Sequence, residues 1–564
     1  MIHLHWNKQS FLLLLFAVMW VIPNMALVYI RFSWLNLLAN LLFPFTIGLS
    51  LLSIFRKPGI MVLVMLPMVI IHAYEIVFLY LFGREVITTD MFLNTVTTDM
   101  EESRELLSNI YPAILLVCII YIPMIVLGII SCRMKERLHA GFRRTFSLLS
   151  ALAALAMAVI ILAVGMRIDV SVYPLNMMYN FNFAINKWYR ERNYPITSAG
   201  FSFQATKRVH ARQREVYVLV IGESARAMNW QLLGYPLPTN PTLSRIPGLI
   251  VFSNITTQSN ATQKSVPLIL SAASANNSDA LYNQKSVLTL FKEAGFKTIF
   301  ITNQIANQQL LGFYAHEADQ WIDINAGPRE KESVGKYDED MLPVFSQALD
   351  KDTGNLFIVL HMHGSHFNYA YRYPPNYALF QPDHPLQIKL SHKQALLNAY
   401  NNTILYTDHF LSEVIRLLDA RQLCSSMLYL SDHGENLFDD NRHLFLHSTP
   451  FPTIYELHIP LLLWCSPQYI NNWPAKAAIA NRHTALPADT RIVFHTLADM
   501  AGISTPWLKE DESLINVAFV PEIPRLILGD HEQPQVFTTY FQPEDYKILK
   551  AMDTASFKSP LTRK

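Results

Sequence analysis

At 564 residues the chain is longer than one ordinary domain. Hydrophobic residues make up 51% and charged residues only 16%, a balance that favours a membrane part. A formal net charge of +1 offers no basic field for nucleic acid; of four cysteines, Cys118 and Cys132 fall in or beside an apolar segment and Cys424 and Cys465 in the soluble part, which makes neither a disulfide scaffold nor a cysteine-zinc site.

Five apolar runs, roughly 11–30, 34–55, 60–82, 110–132 and 146–166, are long enough to cross a bilayer, which takes about 20 residues. The first is too long and too polar-flanked for a cleavable signal, and no Ala-x-Ala site follows it. Lys8, Arg56, Lys57, Arg133, Lys135, Arg137, Arg143 and Arg144 fall on one side of these runs, against Arg31, Arg84 and Arg104 on the other. The positive-inside rule therefore puts the N-terminus in the cytoplasm and everything after residue 166 outside. In the third run His72 and Glu75 are one turn apart, as a functional pair or as a helix-joining one. Loop 83–109 is acidic, with Asp90, Asp99, Glu101, Glu102 and Glu105, and suits a cationic headgroup; the plainer reading is a solvated amphipathic helix.

The expected division is a five-helix membrane domain at 1–166, a connector at 167–210 and a catalytic domain at 211–564. The connector is polar and aromatic-rich, fitting either a helix lying in the interface or a plain linker. Beyond it, β-rich runs at 215–221, 249–254, 297–302, 356–361, 426–430 and 459–465 alternate with helical stretches such as 393–420. That alternation predicts a mostly parallel sheet with helices on both faces, whose ligands bind at the carboxyl ends of the strands. The tail after about 520 is polar and Pro-rich and reads as irregular. Cys424 and Cys465 are expected as two buried thiols, with a bridge as the alternative.

Three motifs sit at expected strand ends or just beyond: Val-Leu-Val-Ile-Gly-Glu-Ser (218–224), Asn-Ala-Thr-Gln-Lys-Ser-Val-Pro (260–267) and Leu-Tyr-Leu-Ser-Asp-His-Gly-Glu (428–435). Glu223, Thr262, Asp432 and His433 supply two carboxylates, a hydroxyl and an imidazole, a four-ligand set for zinc in which the hydroxyl is the nucleophile. Thr262 starts an expected helix, whose N-terminus favours an alkoxide or a phosphate; an N-cap threonine is the plainer reading, and Ser265 the rival nucleophile. His361, His363 and His366 follow one strand, and His443 and His447 follow the Asp-His-Gly turn. Of these, His366 and His447 are the candidates for a second metal or for holding a substrate phosphate.

With these motifs the chain resembles the inner-membrane phosphoethanolamine transferases of the alkaline phosphatase/sulfatase superfamily. The resemblance extends to Leu-Gly-Tyr-Pro (233–236), Thr-Asn-Pro (239–241), His-Met-His-Gly-Ser-His (361–366) and Leu-His-Ser-Thr-Pro (446–450). It implies an alkaline-phosphatase-like α/β head on a five-helix anchor in a bacterial inner membrane, with the head in the periplasm. It implies Thr262 as nucleophile, zinc on Glu223, Thr262, Asp432 and His433, and substrate or a second zinc at His366 and His447. Asn94, Thr98 and Glu102 keep the family's spacing for gripping ethanolamine, and steps of four put all three on one helix face. The implied donor is phosphatidylethanolamine. Asn260, Ala261 and Leu268 stand where the lipid A branch has cysteines around the nucleophile. Segment 366–374 looks like the branch acting on lipopolysaccharide core sugar, and Thr262–Ser265 like the one acting on periplasmic glucans. Core sugar is the favoured acceptor, ahead of glucan and lipid A. The alternatives are a glycerophosphate transferase of the lipoteichoic-acid type and a non-catalytic membrane scaffold. A sulfatase activity is disfavoured because Ser265-Val-Pro-Leu-Ile lacks the required arginine.

Overall fold

The computed structural model describes residues 6–30, 33–82, 89, 100–166, 168–208, 211, 213–304, 309–326, 336–385, 387–449, 451–521 and 523–556. The chain divides into two compact units, Met1–Ile185 and Asn186–Lys564.

The first unit is helical. Trp34–Leu52, Ile110–Arg133 and Ala140–Ala163 are each long and apolar enough to cross a membrane as one element. The other two expected spans are bent pairs. Lys8–Trp20 meets the helix starting at Ile22 at 42°, and Pro58–Val64 meets the one starting at Leu66 at 68°. Pro23 and Pro67 lie just past the two breaks, where a missing N–H and a ring against the preceding turn end a helix. The segments that carry the excess of basic residues come together at one end. Gln9 donates to the Ser131 carbonyl at 2.9 Å, Lys57 Nζ to the Cys132 carbonyl at 2.6 Å, and the Leu138 N–H to the Arg56 carbonyl at 2.8 Å. At another point the chain just past the last span is tied in. Asn24 Nδ2 donates to the Tyr173 carbonyl at 3.0 Å, and the Tyr173 N–H donates to Asn40 Oδ1 at 2.7 Å. In the connector, Leu175–Thr197 is one helix.

The second unit is built on a seven-stranded sheet. Its strands are β1 (Glu215–Gly222), β2 (Leu249–Phe252), β3 (Lys297–Thr302), β4 (Gln320–Asp323), β5 (Leu356–His361), β6 (Cys424–Ser431) and β7 (Leu461–Cys465). Their order across the sheet is β2-β7-β6-β1-β5-β3-β4. The pairs β1–β5, β1–β6, β3–β5 and β3–β4 are parallel, while β7 runs antiparallel to both neighbours. Every residue of β1, β5 and β6 is buried, which is why their stretches 216–221, 356–360 and 427–430 read as unbroken apolar runs. Val287–Glu293 and Met341–Lys351 pack against β3, and Lys393–Asp419 against β6.

One expectation changes and another is met. The tail is ordered: Leu526–Leu528 pairs with Pro534–Val536, and Pro543–Ser556 is a helix. Ile527 and Phe537 are buried with Leu457, and Asp545, fully buried, receives both terminal nitrogens of Arg442 at 2.6 and 2.9 Å. A few well-placed apolar residues and one buried ion pair order a segment whose average composition is polar. Cys424 and Cys465 lie on adjacent strands but are free thiols, buried in the core, so no bridge forms. Burial pushes the Cys424 thiol up to about 12.

Candidate metal centre

The parallel register of β1 and β6 sets Gly222 opposite Ser431, so the next residues, Glu223 and Asp432, leave the sheet side by side at its carboxyl edge. The Asp432 N–H donates to the Gly222 carbonyl at 3.0 Å. Ser224 turns the chain with a φ of 57°; its N–H donates to Asp432 Oδ1 at 3.0 Å and its hydroxyl to Glu223 Oε1 at 2.8 Å. Gly364, after β5, has a φ of 54°, and a Cβ there would lie 2.8 Å from the Glu223 nitrogen, so this turn needs a glycine. The glycine of Asp-His-Gly answers a different constraint. A Cβ on Gly434 would collide with the Tyr455 carbonyl oxygen and lie 2.9 Å from Arg226 Cβ.

Thr262 is the first residue of the helix Thr262–Ile269, and Ala261 is its N-cap. The plain N-cap reading of this threonine therefore does not hold. Its Oγ1 lies 3.3 Å from each Glu223 carboxylate oxygen and 3.1 Å from His433 Nε2. His433 Nε2 in turn lies 3.4 Å from Glu223 Oε1 and 3.3 Å from Asp432 Oδ2. Four ligand atoms at about 2.0–2.1 Å around a tetrahedral zinc stand about 3.3 Å apart, so these separations are those of residues shaped to share one ion. Glu223, His433 and His447 also offer ligand atoms that lie within 4.8 Å of one another. The donor set of carboxylate, imidazole and hydroxyl fits zinc chemically as well.

Electrostatics point the same way. Glu223 is raised from its ordinary value by burial and then by the Asp432 carboxylate. His433 is raised although burial opposes this, because Asp432 and Glu223 lie against it. His447 is pushed well below the usual imidazole value by burial, then by His433 and His366, and its lone pair is thereby kept free.

His366 and His447 join this group: their rings lie 6.5 Å apart, and those of His433 and His447 4.0 Å apart. His361 does not. It is buried beside Thr302, with Nδ1 3.2 Å from Oγ1, and serves the core. Ser265, the rival nucleophile, is fully buried and donates to Asp432 Oδ2 at 3.2 Å. Asn94 and Thr98 lie outside the described residues; Glu102 falls in the helix Met100–Arg133, but its side chain is outside them too.

Two contributors are not among the expected site residues: Gln304, which lies in no motif, and Glu435, which closes the Asp-His-Gly-Glu run. Gln304, two residues past β3, donates to Glu223 Oε2 at 3.1 Å and to the Met362 carbonyl at 2.7 Å. Glu435 is fully buried, raised well above the ordinary carboxylate value by burial and then by Glu223, and lies 3.1 Å from His447 Nδ1. The one available signal was position, since each follows the end of a parallel strand and such ends share a crevice.

Comparison with known proteins agrees with this architecture. The chain is 31% identical over 313 residues to phosphoethanolamine transferase EptC of Escherichia coli, covering 54% of this chain and 53% of that one. It is 27% identical over 341 residues to phosphoethanolamine transferase EptA of Salmonella typhimurium, covering 58% and 61%. It thus spans about half the length of the curated relatives it matches. Among solved structures, the C-terminal periplasmic domain of Escherichia coli EptC in complex with zinc is similar at a TM-score of 0.53 and 28% identity, over 59% of this chain and 95% of that one. The integral membrane lipooligosaccharide phosphoethanolamine transferase EptA of Neisseria meningitidis shares the fold at a TM-score of 0.72 and 20% identity, over 90% and 98%. Residues 215–503, which hold the whole sheet and every ligand candidate, match the sulfatase family, and the chain belongs to that family.

Proposed function

We propose that this chain is a zinc-dependent transferase that moves phosphoethanolamine from phosphatidylethanolamine to a sugar hydroxyl or sugar phosphate of a cell-envelope glycan or glycolipid, with a lipopolysaccharide core sugar favoured over glucan or lipid A. The observation that carries this reading is the placement of Thr262 Oγ1, 3.1 Å from His433 Nε2 and 3.3 Å from both oxygens of Glu223, at the first turn of a helix. The similarity to proteins named phosphoethanolamine transferases supports the transferred group. Glu223, Thr262, Asp432 and His433 would hold the zinc. When bound, the metal supplies positive charge that favours the ionised hydroxyl and offsets charge building on phosphoryl oxygens.

The remaining steps belong to the chain's own groups. Thr262 Oγ attacks the phosphorus, the bond from phosphorus to the diacylglycerol oxygen breaks, and the threonine's proton ends on the released diacylglycerol. Phosphoethanolamine is then esterified to Thr262. An acceptor hydroxyl attacks next, the bond from Thr262 Oγ to phosphorus breaks, and the acceptor's proton returns to Thr262. Ser265, Ser224 and Gln304 hold the carboxylates in place throughout, and His366 and His447 would take the phosphoryl group. Asn94, Thr98 and Glu102 would receive the ammonium group. The proposed setting is a bacterial inner membrane, with the head in the periplasm.

The test is intact-protein mass spectrometry of the detergent-purified chain incubated with phosphatidylethanolamine and no acceptor, beside Thr262→Ala. A gain of one phosphoethanolamine in the wild type alone is expected. A gain with phosphatidylglycerol instead would replace this reading with a glycerophosphate transferase. An adduct that survives in Thr262→Ala would remove the nucleophile assignment.

A further inference from the structure

We propose that Asn24, Glu75, Tyr121 and Tyr173 form a binding site for one small monovalent cation, an alkali ion or an ammonium, inside the helical unit. The site does not depend on the transferase reading. These residues come from three helices and from the segment after the last span. Glu75 and Asn24 are fully buried, Tyr173 is fully buried, and Tyr121 is 3% exposed. His72, one turn before Glu75 on the same helix, brings them together. Its ring centroid lies 4.8 Å from that of Trp20, 5.3 Å from that of Tyr173 and 6.4 Å from that of Tyr121. The Tyr173 hydroxyl lies within electrostatic reach of both Glu75 and Tyr121. Asn24 meets the backbone of the same tyrosine, its Nδ2 donating to the Tyr173 carbonyl at 3.0 Å.

Three oxygens of this group have no hydrogen-bond partner although they are shut off from solvent: Asn24 Oδ1, Tyr121 Oη and Tyr173 Oη. In an apolar surrounding each such atom costs on the order of several kcal/mol, so a group that recurs in one place calls for a ligand to bridge it. The chemistry of that ligand follows from the atoms. An amide carbonyl oxygen can only accept, and Asn24 has already spent a donor on Tyr173. Among the described residues Glu75 adds the one carboxylate of this group, which selects a positive ligand and repels an anion. A single carboxylate offsets one charge, too few for calcium, which gathers several, or for magnesium, which demands a near-ideal octahedron. Breaks in two neighbouring spans, at Val21 and Met65, resemble the interrupted helices around which membrane proteins build ion sites. Occupancy would also tighten the Asn24–Tyr173–Asn40 tie that holds the segment following the last span.

The experiment uses the full chain in phosphatidylcholine nanodiscs, in chlorides of sodium, potassium, ammonium or N-methylglucamine at one ionic strength. Unfolding of the helical unit is read by heat-dependent labelling of Cys118 and Cys132, quantified by peptide mass spectrometry. We expect the midpoint to rise by about 2–4 °C in at least one of the small cations over N-methylglucamine. The rise should vanish in Glu75→Gln and in Tyr121→Phe, which keeps the ring and removes the hydroxyl. A rise with sodium or potassium assigns an alkali ion, and one with ammonium alone assigns an ammonium group. Equal midpoints in all four salts, or a rise that survives Tyr121→Phe, would overturn the proposal, and Tyr121→Phe decides alone if Glu75→Gln does not fold.

Discussion

Gly434→Ala tests whether the Asp-His-Gly turn is set by crowding rather than by backbone flexibility. The new Cβ would collide with the Tyr455 carbonyl oxygen and crowd Arg226 Cβ at 2.9 Å. Tyr455 cannot withdraw freely, because the Gly434 N–H donates to the carbonyl of the next residue, Glu456, at 2.7 Å. Relief therefore takes a backbone shift of roughly 1 Å, with an overpacking cost of about 1–3 kcal/mol and about 1 kcal/mol for the stretched hydrogen bond. The sum is about 2–4 kcal/mol. At about 2.1 cal/mol/K per residue, a unit of about 380 residues loses roughly 3–5 °C of midpoint. His433 should move with the turn, since its Nδ1 is bonded to the Gly434 carbonyl at 2.9 Å. The assay is thermal unfolding of the purified full chain together with zinc content by mass spectrometry. A midpoint within about a degree of wild type and undiminished zinc would refute the crowding argument.

Other consequences can be measured alongside. Asp545→Ala leaves Arg442 with Asp440, at 2.6 Å, as its remaining carboxylate and loosens the docking of Pro543–Ser556; a loss of about 1.5–3 kcal/mol is expected, with faster proteolysis of the last helix. His458 is buried with Nε2–H donating to the Ser253 carbonyl at 3.0 Å, and burial lowers it to about 4. An unfolded histidine titrates near 6.5, so the unfolded chain binds the proton first and stability falls as pH drops from about 6.5 to 4. The fall from this residue is about 3 kcal/mol. His458→Gln should flatten that part of a midpoint-against-pH curve, and an unchanged slope would exclude the residue as its source. Thr262→Ala should keep the wild-type fold by circular dichroism while losing the phosphoethanolamine adduct.

The buried middle of the sheet was legible because β1, β5 and β6 are apolar on both faces and bounded by turn residues. β4 was not: Gln320-Trp321-Ile322-Asp323 is a half-buried edge strand with no apolar run to announce it. The reversed direction of β7 was illegible for another reason, since pairing between 461–465 and 426–430 is a long-range choice that leaves no mark on either segment. Around the metal centre, Glu223, Asp432 and His433 could be found because strand ends bring chemistry to one edge. Gln304 carries no motif and Ser265 reads only as a rival nucleophile, because what makes each matter is a hydrogen bond to a residue far away in sequence. The helix breaks at Val21 and Met65 show the limit of hydropathy, which measures how much of a segment is apolar and says nothing of where it bends.

The free thiols of Cys424 and Cys465 carry one more consequence. With no crosslink in either unit, the native state draws nothing from chain constraint, and its formation waits on no oxidant and no disulfide isomerase. The head should reach the same fold, at the same rate, in a reducing or an oxidising compartment. Its unfolding midpoint should not change with dithiothreitol, so cells lacking thiol oxidases would still make it.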